Sequence, residues 1–360
     1  MTKRILIMAG GTGGHVFPAL AVADSLRAQG HHVEWLGTAR GIEASVVPEA
    51  GITLNTIQIT GLRGKGKLSL LKAPFKLVYA LGQALAVVKR INPDVVLGMG
   101  GFASGPGGLA ARILGIPLVI HEQNAICGMT NKLLAKIANQ VLEAFGGAFP
   151  VQVNTRVVGN PVRGGILDVS PPAQRWAERE GALRVLVVGG SLGAKHINDA
   201  MPVALASIPE EKRPQVWHQT GQRTHDQTLA TYQQLGVENS VSVVAFIKDM
   251  AKAYAWADLI ICRAGALTVS ELAIAGVPSV LVPFPFAVDD HQRINGEYLE
   301  KLGAGIVINQ DDLSAERLAG FLTGELGQRE QLLKLAENAR KFGRPEASQT
   351  VASVCLELVK

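Results

Sequence analysis

The chain has 360 residues and a formal net charge of +5. Hydrophobic residues make up 48% and charged residues 18%, which excludes a disordered chain and fits two domains with sizeable cores. The three cysteines have no CxxC or Cys/His spacing, so neither a disulfide framework nor a metal site is expected, and a reducing cytoplasm fits best.

Charge is distributed unevenly between the two halves. Residues 1–165 hold 16 Lys and Arg against 7 Asp and Glu, whereas the remainder holds 19 against 23. A basic first half indicates an anionic partner such as a diphosphate, an anionic lipid or a nucleic acid.

Apolar runs alternate with helical patterns along the whole chain. The first run is too short for a signal peptide and ends in a glycine loop, so we interpret it as a buried strand. The runs lack in/out alternation, as expected when helices cover both faces of a parallel sheet, which predicts an α/β fold with doubly wound sheets. Predicted strands are Ile5–Met8, Val33–Leu36, Val95–Met99, Leu118–His121, Val185–Val188, Val216–Gln219, Val241–Ala245, Leu259–Cys262 and Val280–Val282; predicted helices include Pro18–Gln29 and Ala194–Leu205.

The first glycine loop, Gly10–His15, follows the first strand. Its glycines permit positive φ and expose backbone N–H groups at a helix start, where anions are favoured. The loop does not match GxGxxG, and a plain strand-to-helix turn is the alternative. His15 suits a general base, although a lone histidine can also serve only as a structural hydrogen-bonding group.

A basic and apolar segment spans residues 61–90 and contains no acidic residue. This composition indicates a surface that rests on anionic lipid, and its apolar part is too short to span a bilayer. Nucleic-acid binding is not expected, because the segment matches no known nucleic-acid-binding module; an ordinary helix with a solvated basic face is the remaining alternative. The basic residues are Arg63, Lys65, Lys67, Lys72, Lys76, Lys89 and Arg90.

A second glycine cluster, Gly98–Gly108, follows a strand and precedes a helix predicted to begin near Pro106. Its six glycines leave the backbone bare enough to hold a second phosphate group. The next strand ends in the polar run His121–Asn124, which we interpret as part of a site rather than of the packing.

The layout of strand, glycine loop and helix recurs at Val185–Gly193, which divides the chain into two similar units. The predicted boundary lies at Val157–Arg163. Ligands of such sheets bind at the carboxyl ends of the strands, so a site in a cleft between two facing sheets is expected.

The most specific pattern lies at Ala257–Pro278. A strand ends near Cys262, and a helix that begins near Leu267 can hold a diphosphate with its free N–H groups. Glu271, one turn into that helix, can accept two hydrogen bonds from a ribose diol. A capped helix alone would explain the hydroxyl groups but not the whole arrangement.

Together these motifs resemble the MurG family of bacterial glycosyltransferases, which add N-acetylglucosamine to lipid I. The resemblance covers nearly the whole chain. It rests on seven segments: Gly10–Pro18, Gly61–Gly66, Gly98–Gly108, His121–Asn124, Val158–Arg163, Gly189–Ala194 and Ala266–Glu271.

The resemblance implies a GT-B fold, with two Rossmann-like, doubly wound parallel-sheet domains facing across a cleft. Residues 1–163 would bind the acceptor and the membrane, residues 164–341 would bind the UDP-sugar, and residues 342–360 would pack back on the first domain. It implies inverting transfer from UDP-N-acetylglucosamine to the C4 hydroxyl of the muramyl sugar of lipid I (undecaprenyl-diphosphate-muramoyl pentapeptide), giving lipid II. The protein would lie peripherally on the cytoplasmic face of the inner membrane and meet cell-wall and division proteins.

The resemblance also implies site residues. His15 is the candidate general base, with Glu122 in reserve, and no cofactor or metal is expected because the chain contains no Asp-x-Asp motif. In this scheme the backbone of Ile247 meets uracil, Glu271 holds the ribose, Ser191 and the turn at Ala266–Ser270 hold the diphosphate, and Gln292 lies near the sugar. The implied donor ligands are Thr12, Gly13, Gly14, Asn124, Arg163, Ser191, Ile247, Ala266, Leu267, Thr268, Val269, Ser270, Glu271 and Gln292.

Four alternatives stay open at the level of the sequence. The first is a GT-B glycosyltransferase with a soluble acceptor, and the second is a UDP-sugar epimerase of the same fold. The third is a nonenzymatic module that binds a nucleotide or a lipid carrier. A dehydrogenase is the least favoured, because the dinucleotide fingerprint is imperfect.

Overall fold

The computed structural model describes residues 1–59, 73–190, 193–287 and 290–359. The chain divides into two compact units. Unit 1 contains residues 1–163 and 344–360, and unit 2 contains residues 164–343. The C-terminal segment thus belongs to the same unit as the N-terminus.

Each unit contains one parallel sheet. In unit 1 seven strands have the order β3-β2-β1-β4-β5-β6-β7, and in unit 2 six strands have the order β10-β9-β8-β11-β12-β13. The strands are β1 Arg4–Met8, β2 His32–Gly37, β3 Thr53–Thr56, β4 Val95–Gly98, β5 Leu118–Glu122, β6 Gln140–Glu143, β7 Arg156–Val157, β8 Arg184–Val188, β9 Gln215–Gln219, β10 Val241–Val244, β11 Leu259–Cys262, β12 Ser279–Leu281 and β13 Gly305–Val307.

Helices connect the strands in both units. Those of the described residues are α1 Gly13–Ala28, α2 Glu43–Glu49, α3 Ala73–Ile91, α4 Ser104–Ile113, α5 Met129–Leu134, α6 Gly164–Leu167, α7 Pro172–Trp176, α8 Lys195–Ser207, α9 His225–Gln234, α10 Met250–Trp256, α11 Ala266–Ala275, α12 His291–Glu300, α13 Ala315–Thr323, α14 Arg329–Phe342 and α15 Ala347–Glu357. Short 3₁₀ turns lie at Glu210–Lys212, Glu238–Ser240, Gln310–Asp312 and Glu325–Gly327. Within the described ranges, no helix is both long and apolar enough to cross a membrane.

Burial on both faces explains why the strands read as continuous apolar runs. In β1, Ile5 and Ile7 pack into a cluster that includes side chains of α1 and α15. Their neighbours Leu6 and Met8 pack into a second cluster, with side chains of α3 and α4. The sheet of unit 1 therefore has a core on each side, as the sequence predicts.

The strand orders place the glycine motifs at equivalent positions in the two sheets. In unit 1 the order reverses direction between β1 and β4, and in unit 2 between β8 and β11. Ligands of open α/β sheets bind at such switch points, beyond the carboxyl ends of the strands. These four strands are followed by the segments that are predicted from the sequence to be binding loops.

The predicted strands are confirmed to within one residue at each end, but two helix starts are wrong. The first helix begins at Gly13 rather than Pro18, and α4 begins at Ser104 rather than near Pro106. Pro18 lies inside α1, where its missing N–H removes one bond of the helix. The short strands β3, β6, β7 and β13 are not predicted.

Candidate active site

The first glycine loop forms the junction between β1 and α1. Thr12 precedes the helix in an extended conformation, and its carbonyl oxygen accepts hydrogen bonds from the N–H groups of His15 and Val16. The side chain of Thr12 makes no capping hydrogen bond. The N–H groups of Gly13 and Gly14 belong to the first turn, where the helix itself offers no acceptor. The junction can therefore bind an anion.

A buried carboxylate, which no sequence motif predicts, lies directly beneath this loop. Glu43, the first residue of α2, is 0% exposed. Its Oε2 accepts a hydrogen bond from the N–H of Gly11 at 2.9 Å. Its Oε1 accepts from the N–H and the hydroxyl of Thr38, at 3.1 Å and 2.7 Å. The N–H of Gly11 is thus used within the protein and holds the loop in place.

Glycines make room for this carboxylate. A Cβ atom on Gly10 would lie 2.5 Å from Oε1 of Glu43, and one on Gly41 would lie 1.9 Å from its Oε2. Gly10 therefore serves the packing of the loop as much as any ligand.

The second glycine cluster packs against the first loop. Gly101 has φ +87, and a Cβ atom there would lie 2.4 Å from the carbonyl oxygen of Gly10. Gly100 has φ +92, and its Cβ would lie 2.6 Å from Nδ1 of His15. Close backbone approach and space for the His15 ring account for these two glycines. A phosphate-binding role of the cluster stays a prediction.

The candidate base His15 is half-buried and has an ordered partner. Its Nδ1 lies 2.9 Å from Oε1 of Gln123, which follows the end of β5. The amide nitrogen of Gln123 in turn lies 3.2 Å from Nδ1 of His121. Burial lowers the pKa of His121 from its ordinary value of 6.5 to about 4, so that ring is neutral at physiological pH.

Glu122, the reserve candidate for the base, is held by four hydrogen bonds. Its Oε1 accepts from the N–H and the side-chain amide of Asn124, at 3.0 Å and 3.1 Å. Its Oε2 accepts from the N–H of Gly128 at 3.1 Å and from the side-chain amide of Asn131 at 2.9 Å. Glu122 is only 2% exposed, so its geometry favours a role in ordering the loop and leaves His15 better placed as a base.

Asn124 and Arg163 are both partly buried in unit 1. Asn124 is fixed by Glu122 as described. The guanidinium of Arg163 lies over the ring of Phe17, 5.2 Å from its centroid, in a cation–π arrangement. The structure thus brings Arg163 to the start of α1, beside the first glycine loop.

In unit 2 the glycine loop after β8 is braced by one buried side chain that no sequence motif predicts, that of Gln219. Gln219 accepts a hydrogen bond from the N–H of Gly190 at 3.0 Å and donates one to its carbonyl oxygen at 3.1 Å. Asn198 donates to the carbonyl oxygen of Thr220 at 2.9 Å and pairs with His218 at 3.0 Å. The proposed ligand Ser191 lies outside the described residues.

The helix α11 begins after Gly265, which has an extended conformation and makes no side-chain cap. The N–H groups of Ala266, Leu267 and Thr268 belong to its first turn. It ends at Ala275, and Gly276 follows in the left-handed region, with φ 62 and ψ 60. The first turn of a helix is a place where a diphosphate can bind.

Other proposed residues of unit 2 are anchored within that unit. The carboxylate of Glu271, 3% exposed, accepts a hydrogen bond from the hydroxyl of Tyr254 at 2.9 Å. Ser270 donates to the carbonyl oxygen of Ala266 at 2.9 Å, and Val269 is buried. Ile247 is buried in the segment after β10. The side-chain oxygen of Gln292 accepts from the N–H of Phe284 at 3.0 Å.

The basic and apolar segment is described only from Ala73 onward; Arg63, Lys65, Lys67 and Lys72 lie outside the described residues. In α3, the side chains of Phe75, Val78 and Tyr79 are exposed by 79%, 70% and 57%. Exposed apolar side chains continue on the neighbouring helices α4 and α5. These are Leu109, Ile113, Met129 and Leu133.

No group of three or more His, Cys, Asp or Glu side chains that could hold a metal ion occurs within the described ranges.

Both units match known family models. Residues 5–143 match the glycosyltransferase family 28 N-terminal domain, and residues 184–351 match the glycosyltransferase family 28 C-terminal domain. A curated relative from Cellvibrio japonicus is 55% identical over 361 residues, covering 99% of each chain. One from Marinobacter nauticus is 54% identical over 355 residues, covering 99% of this chain and 97% of its own. Both bear the name UDP-N-acetylglucosamine–N-acetylmuramyl-(pentapeptide) pyrophosphoryl-undecaprenol N-acetylglucosamine transferase.

Solved structures agree with these matches. The crystal structure of Acinetobacter baumannii MurG superposes with a TM-score of 0.86 at 43% identity and covers 99% of each chain. A kitacinnamycin glycosyltransferase, at 17% identity and a TM-score of 0.70, shares the fold. The predicted GT-B fold class is therefore confirmed. With both domain models matched and full-length relatives above 50% identity, the chain belongs to glycosyltransferase family 28.

Proposed function

We propose that the protein transfers N-acetylglucosamine from UDP-N-acetylglucosamine to lipid I and so produces lipid II for peptidoglycan synthesis. The observation that carries this proposal is the full-length identity of 54–55% with two relatives named for that transfer. The glycine loops and α11, at the switch points of the two sheets, give the reaction its binding elements.

The donor is assigned to unit 2. The N–H groups at the start of α11 would hold the diphosphate, supported by Ser191 and Ser270. The buried carboxylate of Glu271, positioned by Tyr254, would accept hydrogen bonds from the ribose diol. The backbone of Ile247 would meet uracil, and Gln292 would lie near the sugar.

The acceptor is assigned to unit 1, together with part of the donor. Thr12, Gly13 and Gly14 offer backbone donors at the start of α1. Arg163 and Asn124 lie at the same carboxyl edge of the sheet and would contact the donor. The acceptor's own diphosphate and its sugar would meet the two glycine loops of this unit.

His15 would act as the general base. It takes the proton of the acceptor C4 hydroxyl while that oxygen bonds to the anomeric carbon of the donor. The bond from the anomeric carbon to the diphosphate oxygen breaks, and UDP leaves with its electron pair, which inverts the anomeric configuration. Charge that grows on UDP would be stabilised by Arg163 and by the helix N-terminus of α11.

Contact with the membrane is proposed for the exposed apolar face of α3, α4 and α5. Phe75, Val78 and Tyr79 are exposed there, and the exposed cations Lys76 and Lys132 lie on α3 and α5. The three helices contain no acidic residue among their described positions. Apolar side chains ringed by cations are typical of surfaces that rest on anionic lipid. The protein would thus act peripherally, on the cytoplasmic face of the inner membrane, where cell-wall and division proteins are further proposed partners.

Vesicle sedimentation tests this surface. The double variant Phe75→Ser and Val78→Ser is expected to bind less to vesicles that contain phosphatidylglycerol. Val203→Ser on α8 is the matched control, because Val203 is also exposed, by 47%, but belongs to unit 2. Equal sedimentation of the double variant and the control would refute the proposal that this face contacts the membrane.

Release of UDP tests the reaction class. We expect UDP to appear only when both UDP-N-acetylglucosamine and lipid I are present. An epimerase would convert the UDP-sugar without releasing UDP and without any lipid. UDP release with a soluble muramyl acceptor at the same rate would favour a transferase with a soluble substrate.

A further inference from the structure

A continuous hydrogen-bonded chain leads from a backbone carbonyl to the candidate base. Nε2 of His121 lies 2.9 Å from the carbonyl oxygen of Gly159, and Nδ1 of His121 lies 3.2 Å from the amide nitrogen of Gln123. Oε1 of Gln123 lies 2.9 Å from Nδ1 of His15. All four residues belong to unit 1.

The carbonyl oxygen of Gly159 sets the direction of this chain. A carbonyl oxygen only accepts hydrogen bonds, so Nε2 of His121 carries a proton. Because burial keeps His121 neutral at physiological pH, its Nδ1 holds a lone pair and accepts. The group of Gln123 that faces His121 must therefore be the NH₂ group.

A second carbonyl gives the same orientation for the amide of Gln123. Its Nε2 also lies 3.4 Å from the backbone oxygen of His121, which again can only accept. The backbone of Gln123 is itself anchored, because the side-chain amide of Asn160 donates to its carbonyl oxygen at 3.0 Å. Oε1 of Gln123 is therefore the atom that faces His15.

An amide oxygen also only accepts, so Nδ1 of His15 must donate. We infer that Gln123 is a positioning residue that holds His15 in the Nδ1–H tautomer and leaves the lone pair of Nε2 to receive the acceptor proton. This inference rests on the proposed function only for the use of Nε2 as the base.

The pairing resembles the orienting partner of other catalytic histidines but differs in charge. A carboxylate partner both fixes the tautomer and stabilises the imidazolium that forms, whereas a neutral amide fixes only the tautomer and the ring orientation. Gly100 completes the arrangement, because any side chain there would occupy the position of the His15 ring.

The tautomer can be read directly. In protein labelled with ¹⁵N-histidine, long-range ¹H–¹⁵N spectra report which ring nitrogen carries the proton. A His15→Asn spectrum identifies the His15 signals among the eight histidines. We expect Nδ1 protonation of neutral His15 in the wild type and in Gln123→Glu, which keeps an oxygen facing the ring. We expect Gln123→Leu to lose this preference and populate the Nε2–H tautomer.

Kinetics provide the second readout. In Gln123→Leu we expect kcat to fall about 10- to 100-fold, less than the ~10²–10⁴ that a general base contributes, with KM for UDP-N-acetylglucosamine within about threefold. A residue with only a packing role would lower thermal stability and leave the tautomer of His15 unchanged.

Two results would overturn the inference. One is Nε2 protonation of neutral His15 in the wild type, and the other is the same Nδ1–H tautomer in folded Gln123→Leu. If Gln123→Leu does not fold, Nε2 protonation in Gln123→Glu is equally decisive. Because the spectra need no substrate, failure of the protein to use lipid I would remove the proposed function and leave this test intact.

Discussion

The buried carboxylate of Glu43 supports the sharpest stability prediction. In Glu43→Gln, the amide keeps the shape of the side chain but offers one acceptor oxygen in place of two. The carboxylate accepts from the N–H of Gly11 on one oxygen and from the N–H and hydroxyl of Thr38 on the other. Whichever way the amide turns, its NH₂ group faces a backbone N–H that has lost its acceptor.

A donor that loses its acceptor inside the protein costs about 1–3 kcal/mol, and here the donors point at a side chain that is 0% exposed. Unit 1 has about 180 residues, and a domain of that size loses about 2–4 °C in Tm per kcal/mol. We therefore expect Glu43→Gln to melt about 2–12 °C below the wild type. Faster hydrogen exchange is expected in peptides that contain Gly11 and Thr38.

The matched control is Glu49→Gln in the same helix, where the side chain is exposed. Its unfolding free energy should change by no more than about 0.5 kcal/mol. Thermal denaturation followed by circular dichroism, with hydrogen exchange read by mass spectrometry, compares the two variants. Equal melting temperatures and equal exchange at Gly11 would refute the role of Glu43 in holding the glycine loop.

Three further predictions concern catalysis, the glycine contact and pH. His15→Asn should lower kcat by about 10²–10⁴ with little change in donor KM; undiminished turnover at saturating substrate would remove His15 from the base role. Gly101→Ala should destabilise more than Gly147→Ala in urea unfolding, because both have similar positive φ but only Gly101 meets a backbone oxygen at 2.4 Å. The positive φ costs either alanine variant about 1–2 kcal/mol. Equal losses of unfolding free energy in the two variants would contradict the close contact at Gly101. Burial lowers the pKa of His121 to about 4 and that of His218 to about 3. Because the unfolded chain binds these protons more readily, the free energy of unfolding is unaffected above pH 6.5 and decreases as the pH falls toward those two values. Each of the two histidines should lower the free energy of unfolding, measured with urea, by about 1 kcal/mol between pH 7 and pH 5.5. An unfolding free energy that does not change over that range would contradict the burial of these histidines in their neutral form.

The fold follows from the sequence because the strands buried on both faces are apolar runs of four to six residues, and several of them lead into glycine loops. The short strands β7 and β13, of two and three residues, carry too little pattern to be recognised. The start of α1 is misplaced because Pro18 normally marks a first turn, whereas here packing of the helix tolerates it in the second.

The candidate site is predictable where its chemistry lies in consecutive residues, as in the first glycine loop and in α11. Glu43 cannot be predicted from local sequence, because its partners Gly11 and Thr38 lie in the loops after β1 and β2. A single glutamate at the start of a helix is also common. Gln123 lies within the polar run after β5, but its role depends on meeting His15, which is 108 residues away along the chain. Contacts of this kind are set by strand order rather than by local pattern.

The most direct test of the proposed function is transfer of the sugar itself. Purified protein is incubated with radiolabelled UDP-N-acetylglucosamine, with and without lipid I, and the lipid fraction is extracted. We expect label in a lipid product with a β1→4-linked disaccharide, one UDP released for each sugar transferred, and neither without lipid I. Unlabelled lipid in the presence of both substrates, with His15 intact and the protein folded, would contradict it.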